Sequence, residues 1–140
     1  LVNEVDRRLS ERDIHANISW SIDEAAETGL LDVLPAGADK LHAIRFLMAR
    51  QHYPEDQVVF AGDSGNDLPV LTSGLQCVLV ANAHREVQLE ALEELEEAEL
   101  LHKLYIAKGG FMQMNGNYTA GVLEGLAHFL PQARTWLMAG

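Results

Sequence analysis

From Lys40 onward, short apolar runs alternate with segments of helical period, and this alternation constrains the fold more than any other feature of the chain. Leu41, Ile44, Leu47 and Met48 form one face of a helix that ends near His52, before Pro54. Val58 to Ala61 (VVFA) is a short continuous apolar run, the pattern of a strand buried on both faces. It leads into GDSGND and the helical LPVLTS, and then into a second apolar run, Cys77 to Ala81 (CVLVA). A helix over Ala83 to about Leu101, a strand over Leu104 to Ala107 (LYIA), a turn at Asn115 to Asn117 and an amphipathic helix from Ala120 to Leu130 complete the order. Such an order predicts parallel strands joined by helical crossovers, an α/β open sheet of the doubly wound kind.

The first part of the chain reads differently. Leu1, Val5 and Leu9 stand at helical spacing, so the opening reads as mid-helix. Ile14 to Ile22 alternates apolar and polar residues like a half-buried strand, and Gly29 to Pro35 gives a second strand, with Glu24 to Thr28 as the turn between them.

Charge and cysteine content narrow the classes of function. A formal net charge of -11 would repel the phosphate backbone that nucleic-acid binders neutralise, so nucleic acid is not an expected partner. The same charge does not exclude a phosphorylated metabolite, because a metal ion or a lysine can set the field inside one pocket. No apolar stretch approaches the roughly 20 residues needed to span a membrane, and the charged start is unlike a signal peptide. Cys77 is the only cysteine, which fits a reducing cytoplasm, and its apolar setting predicts a small buried hydrophobe.

The segment with chemical content is Gly62 to Asp67, GDSGND, directly after a predicted buried strand. In open parallel sheets, ligands bind beyond the carboxyl ends of the strands. Asp63 and Asp67 offer the hard carboxylate oxygens that magnesium prefers, with Ser64 and Asn66 between them, and Gly62 and Gly65 allow the tight backbone path that brings them together. A simple turn would use the same residue types. An EF-hand does not fit, since its bidentate glutamate position is Gly74. Lys40 opens the preceding helix, where the helix dipole disfavours a cation, a placement that makes sense beside a phosphate or a carboxylate cluster.

The run LLDVLPAGADKLHAIRFLMARQHYPEDQVVFAGDSGNDLPVL resembles the third and fourth motifs of haloacid dehalogenase phosphatases: a lysine opening a helix, a strand, then GD followed by ND. VLVANA at Val78 to Ala83 and GNYTAGVLEGLAHF at Gly116 to Phe129 extend the likeness toward the branch that includes sucrose-phosphate phosphatases, sugar phosphatases with a large inserted cap. The resemblance implies a magnesium-dependent phosphatase acting on a small phosphorylated sugar. It implies that Asp63 ligates the metal, that Asp67 supports it through water or orders the loop, that Asn66 and Ser64 hold the loop or meet the phosphate, and that Lys40 pairs with the transferring phosphoryl group. In this family an aspartate of the first motif attacks phosphorus to give an aspartyl-phosphate that water hydrolyses. That DxDx motif is absent here, since no two aspartates are separated by one residue. The resemblance therefore implies that residues 1–36 are the end of the cap and 37–140 the second half of the core. It further implies that the nucleophile lies upstream, that the chain alone is inactive, and that an exposed sheet edge invites the missing amino-terminal half or self-association.

Other features are assigned no catalytic role. Seven glutamates between Glu86 and Glu99 crowd one helix and read as a solvated face. No two of the six histidines form the i, i+4 pair of a helical zinc site. Trp20, Tyr105 and Tyr118 could face a sugar ring, but Trp20 is expected in the core of a cap strand and the tyrosines in core or interface. One rival from another class is a non-catalytic phosphatase-like module of a larger sugar-phosphate enzyme. A phosphoryl-transfer pump domain, which carries a similar pair of motifs, is weakened by the lack of a membrane span.

Overall fold

The computed structural model describes residues 2–23 and 28–139. Helix α1 (Val2–Ser10) leads to an antiparallel pair, β1 (Ala16–Asp23) and β2 (Thr28–Pro35), in which Trp20 stands opposite Leu31. The expected turn over 24–28 lies, apart from Thr28, outside the described residues. Ile14 falls before the strand because its N–H closes a turn onto Leu9 O. The half-buried pattern predicted for the first strand is seen over residues 16–19, while β2 is mostly exposed, with Leu30 and Val33 among its open apolar side chains.

The remainder builds a second sheet, with α2 (Lys40–Gln51), β3 (Val59–Gly62), the single turn α3 (Leu68–Leu71), β4 (Gln76–Leu79), α4 (Arg85–Glu97), β5 (Leu104–Ile106), α5 (Tyr118–Phe129) and α6 (Pro131–Met138) in order. The strands are all parallel in the order β3-β4-β5, so β4 is central and β3 lies at an edge among the described residues. This is the α/β arrangement expected from the alternation of strand and helix. Each observed strand lies within a residue or so of its apolar run. The helix not anticipated is α6, whose start is marked by a proline at its first position, a favoured site for that residue.

The apolar run QCVL becomes the central strand because both its faces are covered. Cys77 and Leu79 point to a cluster formed with Met48, Val70, Leu71, Leu75 and Val87 from the α2–α4 side. Val78 and Val80 meet α5 on the other face. That contact depends on two glycines one helical turn apart: a Cβ at Gly125 would lie 2.1 Å from Val78 Cγ2, and one at Gly121 would lie 2.1 Å from Gly116 O and 2.9 Å from Val80 Cγ1. The result is three layers, with helices on both faces of the parallel sheet. Its strand ends are thereby fixed in position, and the loops beyond them have a rigid base.

Two expectations follow from this packing. Gly125→Val should destabilise the chain by about 1–3 kcal/mol in urea unfolding, because the added branches must displace Val78 or lift α5 from the sheet. Burial pushes the Cys77 thiol up to about 12 from its ordinary 9.0. The folded state therefore holds the proton more tightly, so the contribution of Cys77 to stability is complete below pH 9.0 and falls as pH rises toward 12. Alkylation at pH 8 should accordingly be slow until denaturant is added.

Candidate active site

The loop after β3 is organised around one buried carboxylate. Asp67 is 5% exposed, and a buried charge of that kind must be paired. Its Oδ2 accepts the backbone N–H groups of Asp63 at 3.0 Å and Ser64 at 3.3 Å, while Oδ1 accepts Lys40 Nζ at 2.5 Å. The same ammonium donates to Asn66 Oδ1 at 2.8 Å, and the Ser64 hydroxyl also reaches that oxygen, at 2.9 Å. The carboxylate comes this close to the end of β3 only because Gly62 has no side chain: a Cβ there would sit 2.6 Å from Asp67 Oδ2. Gly65, expected to serve the same path, has open space at its Cβ position and no left-handed backbone, so the loop does not require a glycine there.

Lys40 is delivered by the start of α2. Asp39 caps that helix by accepting His42 N–H at 2.6 Å, and its other oxygen accepts Asn17 Nδ2 from β1 at 3.2 Å. The cation that the helix dipole disfavours is thus held by a carboxylate 27 residues away in sequence. Lys40, Ser64, Asn66 and Asp67 form one connected network.

Asp63 is different. Its main chain belongs to that network, but among the described residues its half-buried carboxylate has no hydrogen-bond or ion-pair partner. It faces a cleft of about 630 Å³ that is also lined by Trp20, Asn82, His84, Glu86, Glu90 and Tyr118. Both oxygens of Asp67 are already engaged, and no group of three or more potential metal-ligating side chains occurs among the described residues. The donor set fits a hard cation to the extent of one open carboxylate, that of Asp63, on a loop whose geometry Asp67 fixes.

Several residues of this region had no role assigned from sequence. Asn82 lies in the loop three residues beyond β4, and its Oδ1 accepts Tyr118 N–H at 2.6 Å, joining that loop to the start of α5. The strand-end rule that singled out GDSGND applies equally to Asn82. Glu86 and Glu90 belong to the solvated glutamate face but also border the cleft. Glu124 is 7% exposed and accepts Tyr105 OH and the N–H groups of Lys108 and Gly109, each at 2.9 Å, so it holds the loop after β5. A lone acid on the small-residue face of α5, between Gly121 and Gly125, was its signal. Burial, and then the hydrogen bond to Glu124, hold the Tyr105 phenol above its ordinary range. Tyr105 stacks on His128 away from the cleft, whereas Trp20 and Tyr118, expected in core or interface, are 46% and 68% exposed at the cleft.

The network predicts an order of stability losses. Asp67→Ala should cost about 2–3 kcal/mol in urea unfolding, since it leaves two backbone donors and an ammonium without their acceptor. Lys40→Ala should cost about 1 kcal/mol or less, because that side chain is half exposed and Asp67 keeps its backbone donors.

The chain is 57% identical over 140 residues to a HAD-like hydrolase of Nitrosococcus oceani, covering all of this chain and 38% of that protein. It is 31% identical to the mannosylfructose-phosphate phosphatase of Agrobacterium fabrum, over 91% of this chain and 44% of the relative, and 28% identical to sucrose-phosphatase 1 of Nicotiana tabacum, over 84% and 28%. It therefore spans less than half the length of these curated relatives. Among solved structures, the sucrose-phosphatase of Synechocystis sp. PCC6803, in complex with sucrose and phosphate, superposes with a TM-score of 0.66 at 23% identity, over 91% of this chain and 46% of that one. The haloacid dehalogenase-like yhjK of Bacillus subtilis superposes with a TM-score of 0.52 at 21% identity, over 90% and 39%. These two likenesses establish the fold. The model of the sucrose-6F-phosphate phosphohydrolases matches residues 1–130, and the chain belongs to that family, within the haloacid dehalogenase superfamily.

Proposed function

We propose that this chain is the carboxy-terminal part of a magnesium-dependent phosphomonoesterase that removes phosphate from a small phosphorylated sugar such as sucrose phosphate, in the cytoplasm. The observation that carries the reading is the network of Lys40, Ser64, Asn66 and Asp67 at the carboxyl end of β3, with the open carboxylate of Asp63 facing the cleft. The names of the relatives, both phosphatases of sugar phosphates, support the substrate class. In this reading residues 1–36 end the cap and 37–140 form the second half of the core. The nucleophilic aspartate then comes from a segment upstream, whose strand pairs along the open side of β3.

A phosphate monoester is a dianion and must approach carboxylates, so the site has to offset repulsion. Asp63 would hold magnesium, which when bound supplies Lewis-acid charge stabilisation. Lys40 presents its ammonium at the loop, where it can turn from Asn66 to a phosphoryl oxygen while Asp67 keeps it in place. Asp67 fixes the loop through the Asp63 and Ser64 N–H groups. Ser64 and Asn66 set the rim nearest the phosphate. None of these residues is placed as the attacking group, and the covalent step belongs to the upstream aspartate.

The test is hydrolysis of a sugar phosphate by the full-length protein. Activity should require magnesium and vanish with chelator. Asp63→Asn should reduce magnesium affinity and turnover together, because an amide is a poorer ligand for a hard cation than a carboxylate, and Lys40→Ala should lower kcat by about 100-fold or more, in line with loss of a charge-stabilising donor. The 140-residue chain alone should be inactive and should self-associate or bind the separately supplied amino-terminal segment. Magnesium-dependent turnover by the isolated monomeric chain would remove the upstream nucleophile from the scheme.

A further inference from the structure

Trp20 and Tyr118 line the same cleft as Asp63, the first from β1 of the hairpin and the second from the start of α5. Each large ring is open to solvent, and each is held by a backbone arrangement that core packing does not require. The indole of Trp20 lies over Gly29 of the neighbouring strand, where a Cβ would sit 2.1 Å from Cη2, so any other residue at 29 would displace the ring. Tyr118 has φ +47°, in the left-handed region that an L-residue with a large side chain rarely enters. It is kept there by its N–H bond to Asn82 Oδ1, and the adjoining loop is fastened by Ala81 N–H to Gly116 O at 2.9 Å.

Of the described non-glycine residues with positive φ, Tyr118 is the one that lines the cleft, and a strained, exposed ring at a cleft supports a hypothesis of function there. The rest of the cleft states the ligand's chemistry. Asn82, His84, Glu86 and Glu90 supply polar groups, and among the described residues no lysine or arginine lines it. Carboxylates accept hydrogen bonds from hydroxyls but repel a second anion. Aromatic faces suit the C–H face of a ring.

We propose that Trp20 and Tyr118 form an aromatic grip, spanning hairpin and core, that binds the neutral sugar ring of the leaving group and so selects ring-bearing phosphate esters. The assignment rests on the phosphatase reading above, since the cleft is shared with Asp63. The two residues act in specificity and leave the phosphoryl transfer to the Asp63 loop.

The experiment compares kcat/KM for a hexose 6-phosphate with that for glycerol 3-phosphate, which has no ring, in the full-length protein. Tyr118→Asn keeps a residue that tolerates positive φ and removes the ring. Its preference for the hexose ester should fall by about 3- to 10-fold, through KM rather than kcat, with no loss of melting temperature. Trp20→Ala should act in the same direction. Gly29→Val, which displaces the indole without removing it, should do so as well. Unchanged preference in the Tyr118 and Trp20 variants, or a parallel loss for both esters, would overturn the grip and leave the phosphatase reading standing. Wild-type protein that hydrolyses none of hexose 6-phosphate, glycerol 3-phosphate and sucrose phosphate would overturn both.

Discussion

Two backbone N–H groups and one ammonium converge on the Asp67 carboxylate, and they can do so only where Gly62 leaves its Cβ position empty. Much of the site's geometry descends from that convergence. The carboxylate is almost wholly out of water, so its cost must be met by donors nearby, and those donors are the groups that shape the loop. Asp63 and Ser64 are oriented through their own N–H groups. Lys40 is drawn across from α2, against the preference of a helix start for anions. The interaction therefore does two jobs at once: it closes the β3 loop, and it joins the first helix of the α/β unit to the end of its first strand.

Among the described residues, the β-hairpin is tied to the start of α2 through the Asn17 side chain on Asp39. Since Asp39 also caps α2, the orientation of the hairpin and the position of Lys40 share a residue. On the other side of the cleft, Asn82 performs a comparable task for α5 through Tyr118 N–H. Both devices lie beyond the carboxyl ends of parallel strands, where the sheet is most rigid and the loops are most free to vary.

The parts of the fold set by local chemistry were legible in the sequence. VVFA and CVLVA read as buried strands because strands covered on both faces need continuous apolar runs, and β4 is covered on both faces. Lys40 and Asp67 were both named as site residues, one from its awkward place at a helix start and the other from its motif. The network between them was not legible, because a contact over 27 residues has no periodic signature. Gly65 was over-read, since glycine in a turn-rich motif looks required whether or not a Cβ would clash. Glu124 was passed over because its partners, Tyr105 and two loop N–H groups, come together only after α5 docks. Trp20 was placed in a core that the hairpin does not build. Large rings are usually buried, and only the vacancy at Gly29 shows why this one lies on an exposed strand.

The division of labour among the glycines explains how a site of this precision is supported by so short a sheet. Gly121 and Gly125 bring α5 against Val80 and Val78 without intervening side chains, which fixes the axis of α5 relative to β4 to within the tolerance of backbone packing. The first residue of that helix is Tyr118, whose main chain is held at the cleft by its own N–H bond to Asn82 Oδ1. Gly62 does for Asp67 what the α5 pair does for the helix, and Gly29 does the same for Trp20. In each case a missing side chain on one element lets a group on another come into van der Waals contact with the backbone. Backbone positions shift less than side-chain rotamers, so groups seated this way stay aligned whether or not a ligand is present. A substitution at Gly62 or Gly29 would therefore be felt first as a misplaced functional group, whereas at Gly121 or Gly125 the displaced group is the core itself.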